Sequence, residues 1–149
     1  MRAARSLRIV CAFTLASLAG LAQAIEFRSV AAPAVLYDTP SDKGKRLRIA
    51  APGTPVEVVV TLDKWIKVRD ASGSITWIAH DALSAKRTLL VTADRAVVRT
   101  QPDEASPAVF EVVKNVVLEF AAPAADGWVQ VRHAEGGTGY LRIGEVWGL

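Results

Sequence analysis

The sequence predicts an all-β protein, two small antiparallel barrels in tandem behind an N-terminal export signal. Three observations carry that reading. The stretch "DKWIKVRDASGSITWI" at residues 63–78 recurs sixty-three residues later as "DGWVQVRHAEGGTGYL" at residues 126–141, with six identities in sixteen ungapped positions. Val, Ile, Leu, Trp and Thr gather in runs of four to eight residues between "DTPSDKG", "APGTP", "DASGS", "QPDEASP" and "AEGG", which is the punctuation of short strands and turns. Ahead of both copies stands a segment that is first basic, then apolar, then rich in small residues.

That segment comes first in the chain. Arg2, Arg5 and Arg8 precede the apolar run "IVCAFTLASLAGLAQA", which closes on Ala22-Gln23-Ala24. A basic head, an apolar middle and a small-x-small end make a secretory signal peptide, with cleavage after Ala24. The sixteen-residue run, diluted by Ala, Gly and Ser, falls short of the roughly 20 apolar residues that span a bilayer. Residues 1–24 are thus the expected signal, and 25–86 and 87–149 the two units. The mature chain is expected to be periplasmic or secreted, with no membrane span.

Cleavage changes the chemistry of what remains. Three of the 18 basic side chains leave with the signal, and the remaining 15 balance 15 acidic ones. A chain of zero formal charge lacks the basic surface that displaces counterions from phosphates, so nucleic-acid binding is not expected. Cys11, the only cysteine, leaves too. The exported protein then has neither a disulfide nor a thiol nucleophile, and packing alone must hold it together.

The repeat extends upstream of the quoted stretch. Ala34, Val35, Leu36 and Pro40 match Ala96, Val97, Val98 and Pro102, and Glu57 matches Glu119, all at a spacing of sixty-two. The spacing becomes sixty-three by Asp63, where "VVVTLD" faces "FAAPAAD". A one-residue change in length is tolerated in a turn and rarely inside paired strands, so a turn is expected there. Strands are expected at 35–38, 46–50, 56–62, 65–70 and 74–78 in the first unit. In the second they are expected at 89–93, 96–100, 108–113, 116–121, 128–133 and 138–142. Many short strands with regular turns imply a small barrel, which removes bare edges. A unit of about sixty residues buries only about 60% of its unfolded surface, so each gains from a neighbour.

Register follows from burial. Strand side chains alternate between faces, and pairing Ile66 with Ile78 turns both inward while setting Lys67 beside Trp77. The opposite parity would bury Lys67. Gly73 and Gly136 then fall in the hairpin connection, where a positive φ costs glycine little. On the outside each unit keeps a strip: Trp65, Lys67, Arg69 and Trp77 in the first, Trp128, Gln130, Arg132 and Tyr140 in the second.

The stretches "VLYDTP", "RLRIAAPGTPVEVVV" and "KWIKVRDASGSITWIAHDAL", and then "AVVRTQP", "AVFEVVKNVVLEF" and "GWVQVRHAEGGTGYLRIGEV", resemble the bacterial SH3-like domain twice over. The second copy is closer to that pattern, keeping Arg99 and the Gly139-Tyr140 pair where the first has Tyr37 and Thr76-Trp77. The resemblance implies an SH3-like barrel and a non-catalytic binding module outside the cytoplasm. It also implies a role at the cell envelope, in contact with peptidoglycan or an envelope protein. The alternative it leaves is a structural adaptor or regulatory partner of a cell-wall hydrolase.

The residues themselves offer little to an enzyme. Nucleophilic catalysis wants Ser or Cys near His, and acid–base work wants positioned carboxylates or imidazole. His80 corresponds to Ile143 and His133 to Asp70, so neither imidazole is duplicated. Two isolated histidines make no metal set, and no cofactor is expected. Asp63 and Asp126 recur, but at a turn, where Asp bonds to the backbone. Lys43, Lys45, Arg46 and Arg48 cluster at a loop and read as a solvated face.

The candidate ligand surface is the aromatic strip: Trp65, Lys67, Arg69, Trp77, Trp128, Arg132 and Tyr140. Trp and Tyr beside Arg or Lys can stack a ligand and bond its polar groups. The competing use of the strips, and the favoured one, is to pack against each other, or under the long loops, and so join the two marginal units.

Overall fold

A computed structural model describes residues 24–149; the signal peptide expected at 1–24 lies, except for Ala24, outside the described residues. Seven strands make the first sheet: β1 (Glu26–Val30), β2 (Ala34–Tyr37), β3 (Arg46–Ala50), β4 (Pro55–Thr61), β5 (Trp65–Arg69), β6 (Ile75–Ala79) and β7 (Leu83–Ser84). Seven more make the second: β8 (Thr88–Val91), β9 (Arg95–Arg99), β10 (Ala108–Val113), β11 (Val117–Pro123), β12 (Trp128–Arg132), β13 (Thr138–Arg142) and β14 (Val146–Trp147). A single 3-10 turn precedes the last strand of each, at His80–Ala82 and Ile143–Glu145.

The two sheets are antiparallel and share one topology, β3-β2-β6-β5-β4-β1-β7 and β10-β9-β13-β12-β11-β8-β14. The sequence repeat is thus a repeat of folding units. Each sheet wraps its own core. In the first, Val30, Leu36, Ala50, Val56, Ile66, Val68 and Ile78 are buried together, with Leu83 packed against them. Ala50 on β3 and Leu83 on β7 come from opposite ends of the strand order, so the sheet must curl for both to reach one core. The second core gathers Leu89, Val91, Ala96, Val98, Val112, Leu118, Val129, Val131, Leu141 and Val146. Burying each Val, Leu or Ile among them stabilises the fold by about 1.5–3 kcal/mol.

The register agrees with the burial argument. Ile66 faces Ile78 and Lys67 faces Trp77 across β5 and β6, and both isoleucines are fully buried. Gly73 and Gly136 take φ of 85° and 103° in their hairpins. The connection of β4 to β5 takes residues 62–64 and that of β11 to β12 takes 124–127. The extra residue is accommodated there, with Asp126 and Gly127 both at positive φ.

The expected strands omitted β1, β7 and β14. In β1, "EFRSV", Glu26 and Arg28 alternate with Phe27 and Ser29, the latter two buried. Two charges in five residues weaken an apolar signal, although β1 takes the place in its sheet that β8 takes in the other. β7 and β14 are two residues long, too short to show any period.

Candidate functional site

The strip of the first unit lies on the outer face of β2, β6 and β5. Tyr37 stands opposite Trp77, Trp77 opposite Lys67, and Trp65 opposite Ala79. The Tyr37 and Trp65 rings meet edge to face with centroids 5.3 Å apart, and Lys67 Nζ lies 5.2 Å from the Trp77 ring centre. Further along β5, Arg69 Nη1 donates to both carboxylate oxygens of Glu57 at 3.0 Å. The strip therefore has an aromatic end carrying one cation and an ion-paired end. Trp65, Lys67, Arg69 and Trp77 are all half-buried.

Tyr37 is a third aromatic that the sequence reading left out. It lies on β2, outside the β5–β6 hairpin that the repeat highlights, and joins the strip only through the β2–β6 pairing. The signal available was its replacement of Arg99 at the matching position.

The strip of the second unit is built differently. Arg99 takes the place of Tyr37, facing Tyr140 and donating from Nη1 to the Ser106 carbonyl at 2.8 Å. Tyr140 faces Gln130, and Trp128 faces Arg142. The Arg142 guanidinium lies 4.2 Å from the Trp128 ring centre and donates to Glu104 at 2.9 Å and to the Asp126 carbonyl at 3.2 Å. Trp128 is thereby left 4% exposed. Arg132 is exposed and faces Glu119 across β11 and β12. Glu119 bonds instead to Lys86 in the connection between the sheets. That bond holds the Glu119 carboxyl below its ordinary value, with the charges of Lys86 and Arg132 adding to the effect and desolvation opposing it. The first strip thus presents three half-buried aromatics, whereas in the second Trp128 is covered by Arg142 and Tyr140 stays half-buried.

The units are not joined by these strips, which corrects the favoured expectation. Phe27 meets Trp147 edge to face at 5.0 Å between centroids. Arg87 lies 5.8 Å from the Phe27 ring centre and 5.2 Å from that of Phe120, and its Nη2 donates to the Gly148 carbonyl at 2.9 Å. Thr88 Oγ1 donates to the Gly53 carbonyl at 2.7 Å. The reason is topological. Phe27, Thr88 and Trp147 belong to β1, β8 and β14, near one end of each strand order, whereas the strips sit on the central strands β5, β6, β12 and β13.

The remaining candidates are scattered. Lys43, Lys45, Arg46 and Arg48 are exposed, and Arg48 pairs with Asp70. His80 is exposed, while His133 is half-buried against Phe110, 5.7 Å between ring centres. Among the described residues no three His, Cys, Asp or Glu side chains gather as a metal set. No helix among them is long and apolar enough to cross a membrane.

Comparison with known proteins gives a family. The bacterial SH3 domain model matches residues 30–85 and again residues 92–148. No curated protein matches the chain. Among solved structures, NlpC2 from Trichomonas vaginalis is 17% identical over 84% of this chain and 48% of its own, with a TM-score of 0.38. NlpC1 from the same organism is 15% identical over 83% and 46%, TM-score 0.39. An NlpC/P60 family protein from Bacillus cereus is 17% identical over 82% and 56%, TM-score 0.37. The chain spans about half the length of these proteins. Bacterial SH3 domains are binding domains, typically non-catalytic and typical of exported or cell-envelope proteins. With a matched domain on each of its two sheets, the chain belongs to the bacterial SH3 domain family, as a tandem pair.

Proposed function

We propose that this protein is an exported, non-catalytic binding module of the cell envelope that recognises peptidoglycan. In this reading residues 1–24 are cleaved as a signal, and residues 25–86 and 87–149 act as two domains in the periplasm or outside the cell. The ligand lies along Trp65, Lys67, Arg69 and Trp77 of the first unit. Of the second unit's candidates Trp128, Arg132 and Tyr140, Arg132 and Tyr140 are accessible to it, while Trp128 lies under Arg142. The observation that carries the reading is the open cluster of Tyr37, Trp65 and Trp77 with Lys67 over one ring. Such a surface can stack sugar or peptide faces while the ammonium meets a carboxylate.

The experiment is sedimentation of the purified mature protein with peptidoglycan. Trp77→Ala and Tyr140→Ala are expected to weaken it by the loss of about 0.5–1.5 kcal/mol of stacking beyond area, with little change in melting temperature. A parent protein that never sediments removes peptidoglycan as the target. Capture of a cell-wall hydrolase in its place would make the protein an adaptor.

A further inference from the structure

The duplication supplies an internal comparison at one pocket. Glu104, Trp128 and Arg142 of the second unit correspond in the repeat to Asp42, Trp65 and Ala79 of the first. In the second unit the three close on one another. Arg142 lies over the Trp128 indole and its guanidinium pairs with Glu104. The hollow of about 190 Å³ beside them opens instead toward Arg95, Val97, Arg99 and Glu145. The first unit keeps the indole and the carboxylate but carries no cation at the third position. Its hollow, bounded by Pro40, Asp42, Asp63, Trp65, Ala79 and Asp81, is about 650 Å³. Tyr37 braces the Trp65 ring edge to face. Lys64 and His80 also stand on this rim, and both are exposed.

We infer that the Trp65 hollow receives an arginine side chain from a protein partner, stacked on the indole and paired with Asp42, as Arg142 is stacked and paired within the second unit. Three carboxylates on the rim give the site the sign that a cation requires, and a Trp face attracts cations more strongly than other aromatic faces. A guanidinium suits it better than an ammonium. It is planar, more weakly hydrated, and able to lie flat on a ring while its N–H fork meets a carboxylate. The inference rests on the reading of the protein as a binding module, and it supplies that reading with a second class of contact, to protein rather than wall.

The test is a titration of the mature protein with Nα-acetyl-arginine amide, followed through the indole N–H resonances of the tryptophans. The Trp65 resonance is expected to shift and saturate, with Nα-acetyl-lysine amide several-fold weaker. Ala79→Arg installs the side chain that the second unit carries and should weaken the response at least tenfold. Arg142→Ala should open the second hollow, so that the Trp128 resonance begins to respond. Asp42→Asn, on an exposed loop and harmless to folding, should weaken the Trp65 response several-fold. Silence of Trp65 toward arginine amide overturns the inference, as does an Ala79→Arg protein that still responds. A Trp65 shift caused by a wall stem peptide with a free amine, and not by arginine amide, overturns it in favour of the wall. The proposed function is read separately through Trp77→Ala. Trp77 does not line the Trp65 hollow, so its loss should weaken sedimentation with peptidoglycan while the Trp65 response to arginine amide persists.

Discussion

Phe27 of the first sheet and Trp147 of the second meet edge to face, with ring centroids 5.0 Å apart. Neither residue is repeated: at the matching positions stand Leu89 and Ser84. Two units joined head to tail touch through different surfaces, a heterologous contact, so the residues of the joint need not match. Arg87 reinforces it between Phe27 and Phe120, anchored on the Gly148 carbonyl.

Truncation of the joint should therefore cost stability and coupling together. Phe27 is 8% exposed, and large aromatic truncations in cores cost about 3–5 kcal/mol. Phe27→Ala is expected to fall in that range by urea denaturation. Its unfolding should separate into two steps where the parent shows one. A Phe27→Ala protein that melts like the parent would mean that the joint contributes nothing.

The joint also marks where sequence reasoning stopped. Ile66, Ile78, Gly73 and Gly136 were legible because each unit needs them for itself, and a duplicated need leaves a duplicated residue. Phe27, Arg87 and Trp147 serve the contact between units, which has no second copy to be compared with. The same limit hid the difference between the strips. Trp65 and Trp128 look alike in the repeat, but the side chain opposite each one, Ala79 or Arg142, decides whether the ring is open or covered. That neighbour emerges only once the hairpin register is laid out.

The register can be checked on a single strand. Ile78 is fully buried and Ile75, on the same β6, is 51% exposed. Ile78→Ala is expected to cost about 2–5 kcal/mol, while Ile75→Ala should stay within about 0.5 kcal/mol of the parent. Comparable losses at both positions, measured by thermal denaturation, would contradict the inward parity of Ile66 and Ile78.

The Lys86–Glu119 ion pair ties the connection between the sheets to β11. The hydrogen bond from Lys86 lowers the Glu119 carboxyl from its ordinary value of 4.5. A carboxyl depressed in the folded state stabilises it above that ordinary value, and the contribution is lost as pH falls through the folded value. Glu119→Gln should accordingly lower the melting temperature near neutral pH, and the gap from the parent should close on acidification. High salt should narrow it as well, since the pair is exposed to solvent. A gap that widens in acid would mean that Glu119 is not held in its charged form.

The last contrast lies at one position of the repeat, occupied by Thr76 in the first unit and Gly139 in the second. Thr76 is buried on β6, between Ile75 and Trp77, so the first unit has room for a β-branched side chain there. At Gly139 an added Cβ would come within 2.5 Å of the Arg99 carbonyl oxygen and 2.6 Å of Val98 Cγ1. The first of these neighbours is backbone and cannot rotate away. The β13–β9 ladder, which pairs Tyr140 with Arg99, would have to move apart. Overpacking of this kind costs about 1–3 kcal/mol and sometimes more. Gly139→Ala is thus expected to destabilise the second unit by at least that amount, and Gly139→Thr by more, although Thr is the native residue at the matching site. Thr76→Gly should cost the first unit only the loss of a side chain suited to a strand, about 1 kcal/mol. Because β9 and β13 carry Arg99 and Tyr140, Gly139→Ala should also displace the Tyr140 ring, which a shift of its ring resonances would report. A stable Gly139→Thr protein with unmoved Tyr140 resonances would show that β9 and β13 are not packed as closely as the carbonyl of Arg99 requires.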